Sequence, residues 1–340
     1  MRVITNTPGL SRFSNETLEI DSRYSLPGKS RLASEWDVFK RSFNCDYVVI
    51  ICDPFSVLIQ GLLHVFLFFN RCKVVSVDSV LPVPVGVKER VKASIKSLAF
   101  KGVHIFIEYF KDTRGYQKYY RINKNKFRYT PFKINRYEKV LEIIDNNGIH
   151  DGGYVFCGGN TRRDFDSLIE VAKKVDIPFL IVTMDNSTIG YHGSCLDESS
   201  IPSNVKLVRH DGSDSFLEYI AGSKLVALPI KKGNISASGI GVYIACMALK
   251  KCVVISECPA VDGILEDEAI IVPPEDPNAL QQAITKAFYD DHYRDGYAAR
   301  GQAYALSLGG EDSLYRSILD IVAAVEPSKA FRVHVTTEEG

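Results

Sequence analysis

Two stretches of the chain carry the residue types that hold a phosphate. The first, Ser236 to Ser256 (SASGIGVYIACMALKKCVVIS), opens on Ser236, Ser238, Gly239 and Gly241. An apolar helix is expected there from about Gly239 to Leu249, followed by a buried strand from Cys252. Small residues at the start of such a helix leave its first N–H groups open, and the helix dipole favours an anion there. The same residues also suit a tightly packed strand-loop-helix unit with no guest. The second stretch, Gly158-Gly159-Asn160-Thr161-Arg162-Arg163, follows a strand expected to end at Cys157. With Lys231, Lys232 and Asn234, the two loops combine backbone donors, cations and amides, a set suited to a diphosphate. Neither is a G-x-G-x-x-G or a Walker A; their order and spacing together say more than either alone. The binding candidates are Gly158, Gly159, Asn160, Arg163, Ser236, Ser238, Gly239, Ile240 and Gly241. His210, after a later strand, is a further candidate near a nucleotide base, or a plain turn residue.

The first half offers acids at the expected ends of strands: Asp53, Asp78, Glu108 and Asp112. A carboxylate placed there can take the proton of an acceptor hydroxyl. Asp78 is the first catalytic candidate and Glu108 the second, although Asp78 would also serve to cap the turn before Leu81-Pro82.

The elements that must position these residues follow from periodicity. Apolar runs of strand length occur at Asp46–Cys52, Lys73–Asp78, Val103–Ile107, Tyr154–Cys157, Phe179–Thr183, Val205–Val208 and Leu225–Pro229, alternating with helical segments. That alternation implies parallel, doubly wound sheets. Residues 1–35 read as irregular or as short edge strands. Val57–Phe69 reads as a helix buried against a sheet or lying in a membrane interface, too short to span one. Lys88–Lys101 places Val91, Ile95, Leu98 and Ala99 on one helical face and five cations on the other. That fits a sheet-packed surface helix or one resting on an anionic membrane. Residues 109–136 read as a basic, aromatic connection with its linker at Pro131–Asn135. In the second half, helices are expected at Tyr137–Asn146 and near Ser213–Ala221. Another is capped by Asp276 with Pro277 behind it. The tail after Glu326 reads as frayed.

The chain has 340 residues, room for two domains, with 46% hydrophobic and 24% charged residues. That composition excludes wholesale disorder. The charge is uneven. Residues 1–135 hold 22 Lys and Arg against 11 Asp and Glu, and the remainder holds 19 against 30. A basic first half suits anionic headgroups or a phosphate-bearing acceptor, or serves solubility alone. No nucleic-acid module is recognisable, and no nucleic acid is expected as a partner. The eight cysteines sit mostly in apolar runs without metal spacing, which reads as reduced thiols in a cytoplasmic protein. The first residues lack the apolar run of a signal peptide.

Residues 137–325 resemble the C-terminal, donor-binding domain of GT-B-fold glycosyltransferases, especially the large retaining group called family four. The resemblance rests on Gly239, the Ala245-Cys246-Met247-Ala248-Leu249-Lys250-Lys251-Cys252-Val253-Val254 segment, Ile271 to Pro277, and the GGNTRRD loop, where Arg163 best fits the arginine that contacts donor phosphates. The first half resembles the fold by architecture alone. The resemblance implies two Rossmann-like domains facing a cleft: an acceptor domain over 1–135, a nucleotide-sugar domain over 136–325, and a tail over 326–340. It implies transfer of a sugar from a UDP- or GDP-sugar, the donor being a substrate and no cofactor or metal being needed. The acceptor would be a hydroxyl of a saccharide or lipid-linked molecule, as in surface polysaccharide or glycoconjugate synthesis. The lipid-linked acceptor, and peripheral contact of the first domain with the inner face of the membrane, rest on the charge and hydrophobicity of the first half. Two glutamates usual in the group fall at Ala237 and Ala245, and the second normally binds the donor ribose. That departure keeps open a divergent branch or a non-catalytic GT-B-like partner protein. A nucleotide-sugar epimerase shares the fold and is the other alternative.

Overall fold

The computed structural model describes residues 1–25, 28–210 and 215–325. The expected helix start at Ser213 and the tail from residue 326 lie outside them.

The first unit runs β1 (Arg2–Thr5), β2 (Glu19–Asp21), α1 (Arg31–Ser42), β3 (Tyr47–Ile51), α2 (Pro54–Phe66), β4 (Lys73–Val77), α3 (Gly86–Ala99), β5 (Val103–Glu108), α4 (Arg114–Tyr120) and β6 (Phe127–Tyr129). Its six strands are all parallel, in the order β2-β1-β3-β4-β5-β6. Asp53 caps α2 by accepting from the Phe55 and Ser56 N–H groups, with Pro54 at the first helical position. One sheet face packs on α1, α2 and α3 through Val38, Val57 and Ala93. The other packs on a 3-10 turn at Pro8–Phe13 and on the last helix of the chain.

The second unit runs α5 (Tyr137–Asp145), β7 (Val155–Gly158), α6 (Phe165–Ala172), β8 (Phe179–Thr183), α7 (Asn186–Tyr191), β9 (Val205–Arg209), α8 (Ser215–Ala221), β10 (Leu225–Leu228), α9 (Ile240–Ala248), β11 (Val253–Ser256), β12 (Ile270–Val272), α10 (Pro277–Tyr289), α11 (Asp291–Leu308) and α12 (Glu311–Ala324). Its sheet is again parallel, in the order β12-β11-β10-β7-β8-β9. Successive strands run outward from β7 to one side and then, from β10, to the other. Helices α5, α8 and α9 cover one face and α6 and α10 the other. Helix α12 crosses back: Leu314, Ile318 and Val322 lie in the core of the first sheet. Two parallel, doubly wound sheets with helices on both faces is the architecture expected from the sequence.

Four expectations change. Strand β1, four residues long, pairs with β2 and β3 and so is an inner strand. Helix α1 was not foreseen within residues 1–35. Residues 109–136 are no exposed connection: Tyr109, Phe110, Tyr116 and Tyr120 are buried, so their aromatic content builds core. Three of the four α3 stripe residues, Val91, Ile95 and Leu98, face outward, and Ala99 does not. Val91 and Ile95 are 55% and 52% exposed, and only Ala93 and Ala99 of that helix are buried, because close approach to α2 admits only small side chains. Gly61 of α2 illustrates the approach: a Cβ there would lie 2.4 Å from the Ala99 carbonyl oxygen.

Candidate functional site

In the second sheet, strand order reverses between β7 and β10. Open α/β sheets bind ligands at such a point, beyond the carboxyl ends of the strands. The loops after β7 and β10 are stitched together there. Arg163 and Ile230 form an antiparallel bridge. Asp164 N–H donates to Pro229 O at 3.0 Å, and Lys231 N–H to Arg162 O at 2.9 Å.

Above this seam lies a cavity of about 370 Å³, lined by Gly159, Asn160, Thr161 and Arg163 from one loop and by Ala237, Gly239, Ile240, Gly241 and Ala245 from the other. Asn135, Arg136, His210 and Phe216 complete its wall.

Arg163 dominates the site. It is 1% exposed. Its Nε donates to Gly158 O at 2.8 Å and its Nη1 to Thr161 O at 2.9 Å. Among the described residues no carboxylate bonds it. Burial pushes its pKa down, and the nearest groups that oppose the shift are the thiols of Cys157, Cys258 and Cys246. The guanidinium nevertheless stays charged. Two glycines let it lie here: a Cβ on Gly159 would sit 2.6 Å from Nη2, and one on Gly239 would sit 3.4 Å from Nη1. Both glycines have positive φ, +99° and +85°. The first turn of α9 begins at Gly239 without a side-chain cap, so its leading N–H groups add to the donor field.

The other loop candidates divide by role. Asn160 lines the cavity, its carboxamide fixed through Oδ1, which accepts from Thr183 Oγ1 and Met184 N at 3.1 Å. His210 also lines it, its ring 5.0 Å from that of Phe216. Gly158, Ser236 and Ser238 do not line it. Gly158 holds Arg163 through its carbonyl. Ser236 and Ser238 are turned into their own loop by Asn234, whose Nδ2 donates to Ser236 O and Ser238 Oγ at 2.7 Å. Arg162, Lys231 and Lys232 also lie outside the lining; Lys232 N–H donates to Glu275 Oε1 at 3.0 Å. Asn135 and Phe216 were missed by sequence reasoning. No sequence signal marks Asn135; in the structure a Cβ on Gly241 would come within 2.6 Å of Asn135 Nδ2. The segment expected to be a plain linker therefore forms part of the cavity wall.

The first sheet brings its acids together at the carboxyl ends of β3, β4 and β5. Glu108 is fully buried; Oε1 accepts from Ser79 N–H at 3.3 Å and Oε2 has no partner among the described residues. Burial, and then the neighbouring Asp78 charge, hold its pKa well above the carboxylate range. Asp78 is half-buried. Burial raises its pKa too, opposed by the Cys52 thiol, which donates to Oδ2 at 3.2 Å. Cys52 and Asp78 both have φ of +54°, a strained conformation that recurs at functional sites. Neither acid lines the cavity. The path between runs through Tyr109 and Phe132, with ring centroids 4.7 Å apart, and Phe132 in turn reaches Gly241. Asp53 and Asp112 are engaged otherwise: Asp53 caps α2 and pairs with Arg31, and Asp112 pairs with Arg114 at 2.8 Å, which lowers its pKa. Among the described residues no group of three or more His, Cys, Asp or Glu side chains converges to hold a metal.

No family model matches the chain, and no curated protein does. Solved structures do. HepE of Anabaena, in complex with UDP and glucose, is 12% identical with a TM-score of 0.65, over 95% of this chain and 100% of that one. A sucrose-phosphate synthase from Thermosynechococcus elongatus is 13% identical with a TM-score of 0.65, over 88% and 80%. A glycosyltransferase from Rickettsia africae is 13% identical with a TM-score of 0.63, over 96% and 90%. The chain has the two-domain GT-B fold that these structures share.

Proposed function

We propose that the chain is a glycosyltransferase that moves a hexosyl unit from a UDP- or GDP-sugar to a hydroxyl of a saccharide or lipid-linked acceptor, in surface polysaccharide or glycoconjugate synthesis. The observation that carries this reading is Arg163: a buried cation with only carbonyl partners, at the point of strand reversal, beside the uncapped start of α9. A buried charge without a counter-ion is costly, and an anionic guest removes the cost. A diphosphate between Gly159 and Gly239–Gly241 would accept from the guanidinium and from the α9 N–H groups. His210 and Phe216 then lie where a base could stack. The complex of HepE with UDP and glucose supports the same class of donor.

In the proposed reaction the acceptor oxygen bonds to the anomeric carbon and the bond from that carbon to the diphosphate breaks. Asp78 takes the hydroxyl proton; its raised pKa brings it toward the operating pH of a base. Glu108 lies buried behind it, its pKa held well above the carboxylate range by burial and by the Asp78 charge. Arg163 and α9 stabilise the charge that develops on the leaving diphosphate, so the reading assigns no role to a metal. The acceptor would enter on the Asp78 side of the Tyr109–Phe132 pair. The second domain would be the donor domain, over residues 136–325, and the first the acceptor domain.

The cavity wall favours one rival reading. Ala237 and Ala245 put methyl groups where the resembling group has carboxylates, as a non-catalytic partner protein would. A thermal-shift screen against UDP, GDP, ADP, TDP and their sugar conjugates decides. A ligand that binds only the folded state raises Tm. A rise with one nucleotide family and its sugars is expected; no rise at millimolar ligand would reject the donor site and leave the rival.

A further inference from the structure

The two units differ in what they show to solvent. Among the described residues, twelve of the sixteen exposed large hydrophobics fall between Leu32 and Leu98. They lie on or beside α1, α2 and α3, which form one layer over one face of the first sheet. Helix α2 has no ionisable residue between Pro54 and Phe66 except His64, yet Leu58, Ile59, Leu62 and Leu63 are only half-buried. An apolar helix of this kind belongs in an interior or against a second surface. Just past its end, Phe66, Phe68 and Phe69 are 65%, 84% and 62% exposed. On α3, Val91 and Ile95 stand out between the exposed cations Lys88, Arg90 and Lys92.

From this layer we infer that the outer face of α1–α2–α3 docks on an anionic lipid surface, with Trp36, the Phe66–Phe69 turn and the Val91–Ile95 stripe entering the headgroup boundary. The inference adds a membrane-binding face to the activity proposed above and does not rest on Arg163. Charge selects the occupant. A second copy of the chain packed by a two-fold axis would set the α3 cations against themselves, whereas anionic headgroups neutralise them while the apolar groups leave water. No helix among the described residues is long and apolar enough to cross a membrane, so the contact is a peripheral one. Helix α3 starts at the carboxyl end of the first sheet, the end that carries Asp78 and Glu108. Its leading residues therefore hold that end of the first sheet near the lipid surface, on the side where a lipid-linked acceptor would arrive.

Flotation of the whole chain with phosphatidylcholine vesicles, with and without phosphatidylglycerol, tests this. The only tryptophan of the chain, Trp36, provides a second readout through its emission. Binding and a blue shift are expected with the anionic vesicles alone. A Lys88→Glu/Lys92→Glu variant should lower the partition coefficient by at least about tenfold, and a Phe66→Ser/Phe68→Ser/Phe69→Ser variant should abolish the shift. All five positions are solvent-facing, and an unchanged nucleotide-induced rise in Tm would certify the fold. Wild-type protein left in the bottom fraction with anionic vesicles would overturn the inference. A concentration-dependent dimer by light scattering, lost in the Phe variant, would overturn it in favour of self-association. Wild-type protein that binds nucleotide but not anionic vesicles rejects this face alone; wild-type protein that binds the vesicles but no nucleotide rejects the donor site alone.

Discussion

The carboxyl ends of the two sheets hold ionisable groups of opposite sign. The first sheet ends in the half-buried Asp78 and the buried Glu108 and the second in the buried Arg163, and among the described residues none of the three is in an ion pair. The two problems have different solutions. A buried carboxyl can take up a proton and become neutral, so the first sheet resolves its charge alone. A guanidinium cannot lose its proton in the accessible pH range. The second sheet keeps its charge, and the proposed function meets it with an anionic guest. On that reading the anionic donor falls to one unit and proton handling to the other.

The sharpest attempt to break it is Asp78→Asn. If the first unit handles the proton, kcat should fall about 100- to 10,000-fold while donor affinity is kept. Full turnover would remove Asp78 from the reaction. Next is Arg163→Met, which keeps much of the volume and removes the charge. Donor nucleotide should bind about 100-fold more weakly by calorimetry. The free protein should lose less stability than the about 3–5 kcal/mol typical when one member of a buried ion pair is removed. A loss of that size with donor affinity intact would mean that Arg163 is structural. Gly159→Ala probes the same place from the backbone. At φ +99° a side chain is strained, and its Cβ crowds Nη2, so a loss of about 1–3 kcal/mol in urea unfolding is expected. A smaller drop in donor affinity than that of Arg163→Met should accompany it. An unchanged midpoint would show that the loop absorbs the methyl group.

How much of this was legible in the sequence depends on what each feature rests on. Strands such as β3, β4, β5, β7, β8 and β10 were readable because both-face burial gives them unbroken apolar runs such as Val48-Val49-Ile50, whereas β6, three residues inside the expected connection, was not. The α10 start was readable because Asp276-Pro277 carries its cap chemistry locally; Asp53, read as a strand-end acid, proved to be the cap of α2, which starts at Pro54 rather than at Val57. Strand β1 was not, because four residues among turns carry too little signal. The outward turn of α3 was hidden as well. Periodicity marks an apolar face without saying what covers it, and the cause lay elsewhere, in Gly61 and Ala99 drawing the helices together. In the site, Gly159, Arg163 and Gly239 could be placed at the cavity because glycine and a cation at a strand end have local meaning. Ser236 and Ser238 lie outside its lining because Asn234 claims them. Asn135 was invisible because it reaches the cavity from an apparent linker.

The finest test of the comparison is Glu108→Gln followed by pH. Glu108 is fully buried with one oxygen unpartnered, and its folded pKa stands well above the ordinary value of 4.5. Below that ordinary value, folded and unfolded chains both carry the proton, and the stability it contributes is fully present. As pH rises, the unfolded chain releases the proton first while the folded chain retains it. The unfolded state then binds fewer protons, so stability falls with pH until the folded group also ionises. For one proton the slope is at most about 1.4 kcal/mol per pH unit. Glutamine has the same shape and no proton to lose. Urea midpoints of the variant and the wild type should therefore coincide near pH 4 and separate progressively toward pH 8, with the variant the more stable. Parallel curves over that range would mean that Glu108 keeps an ordinary pKa through a partner. The first sheet would then meet its buried charge by pairing, as the second sheet does only when an anion arrives, and the contrast between the two strand ends would be lost.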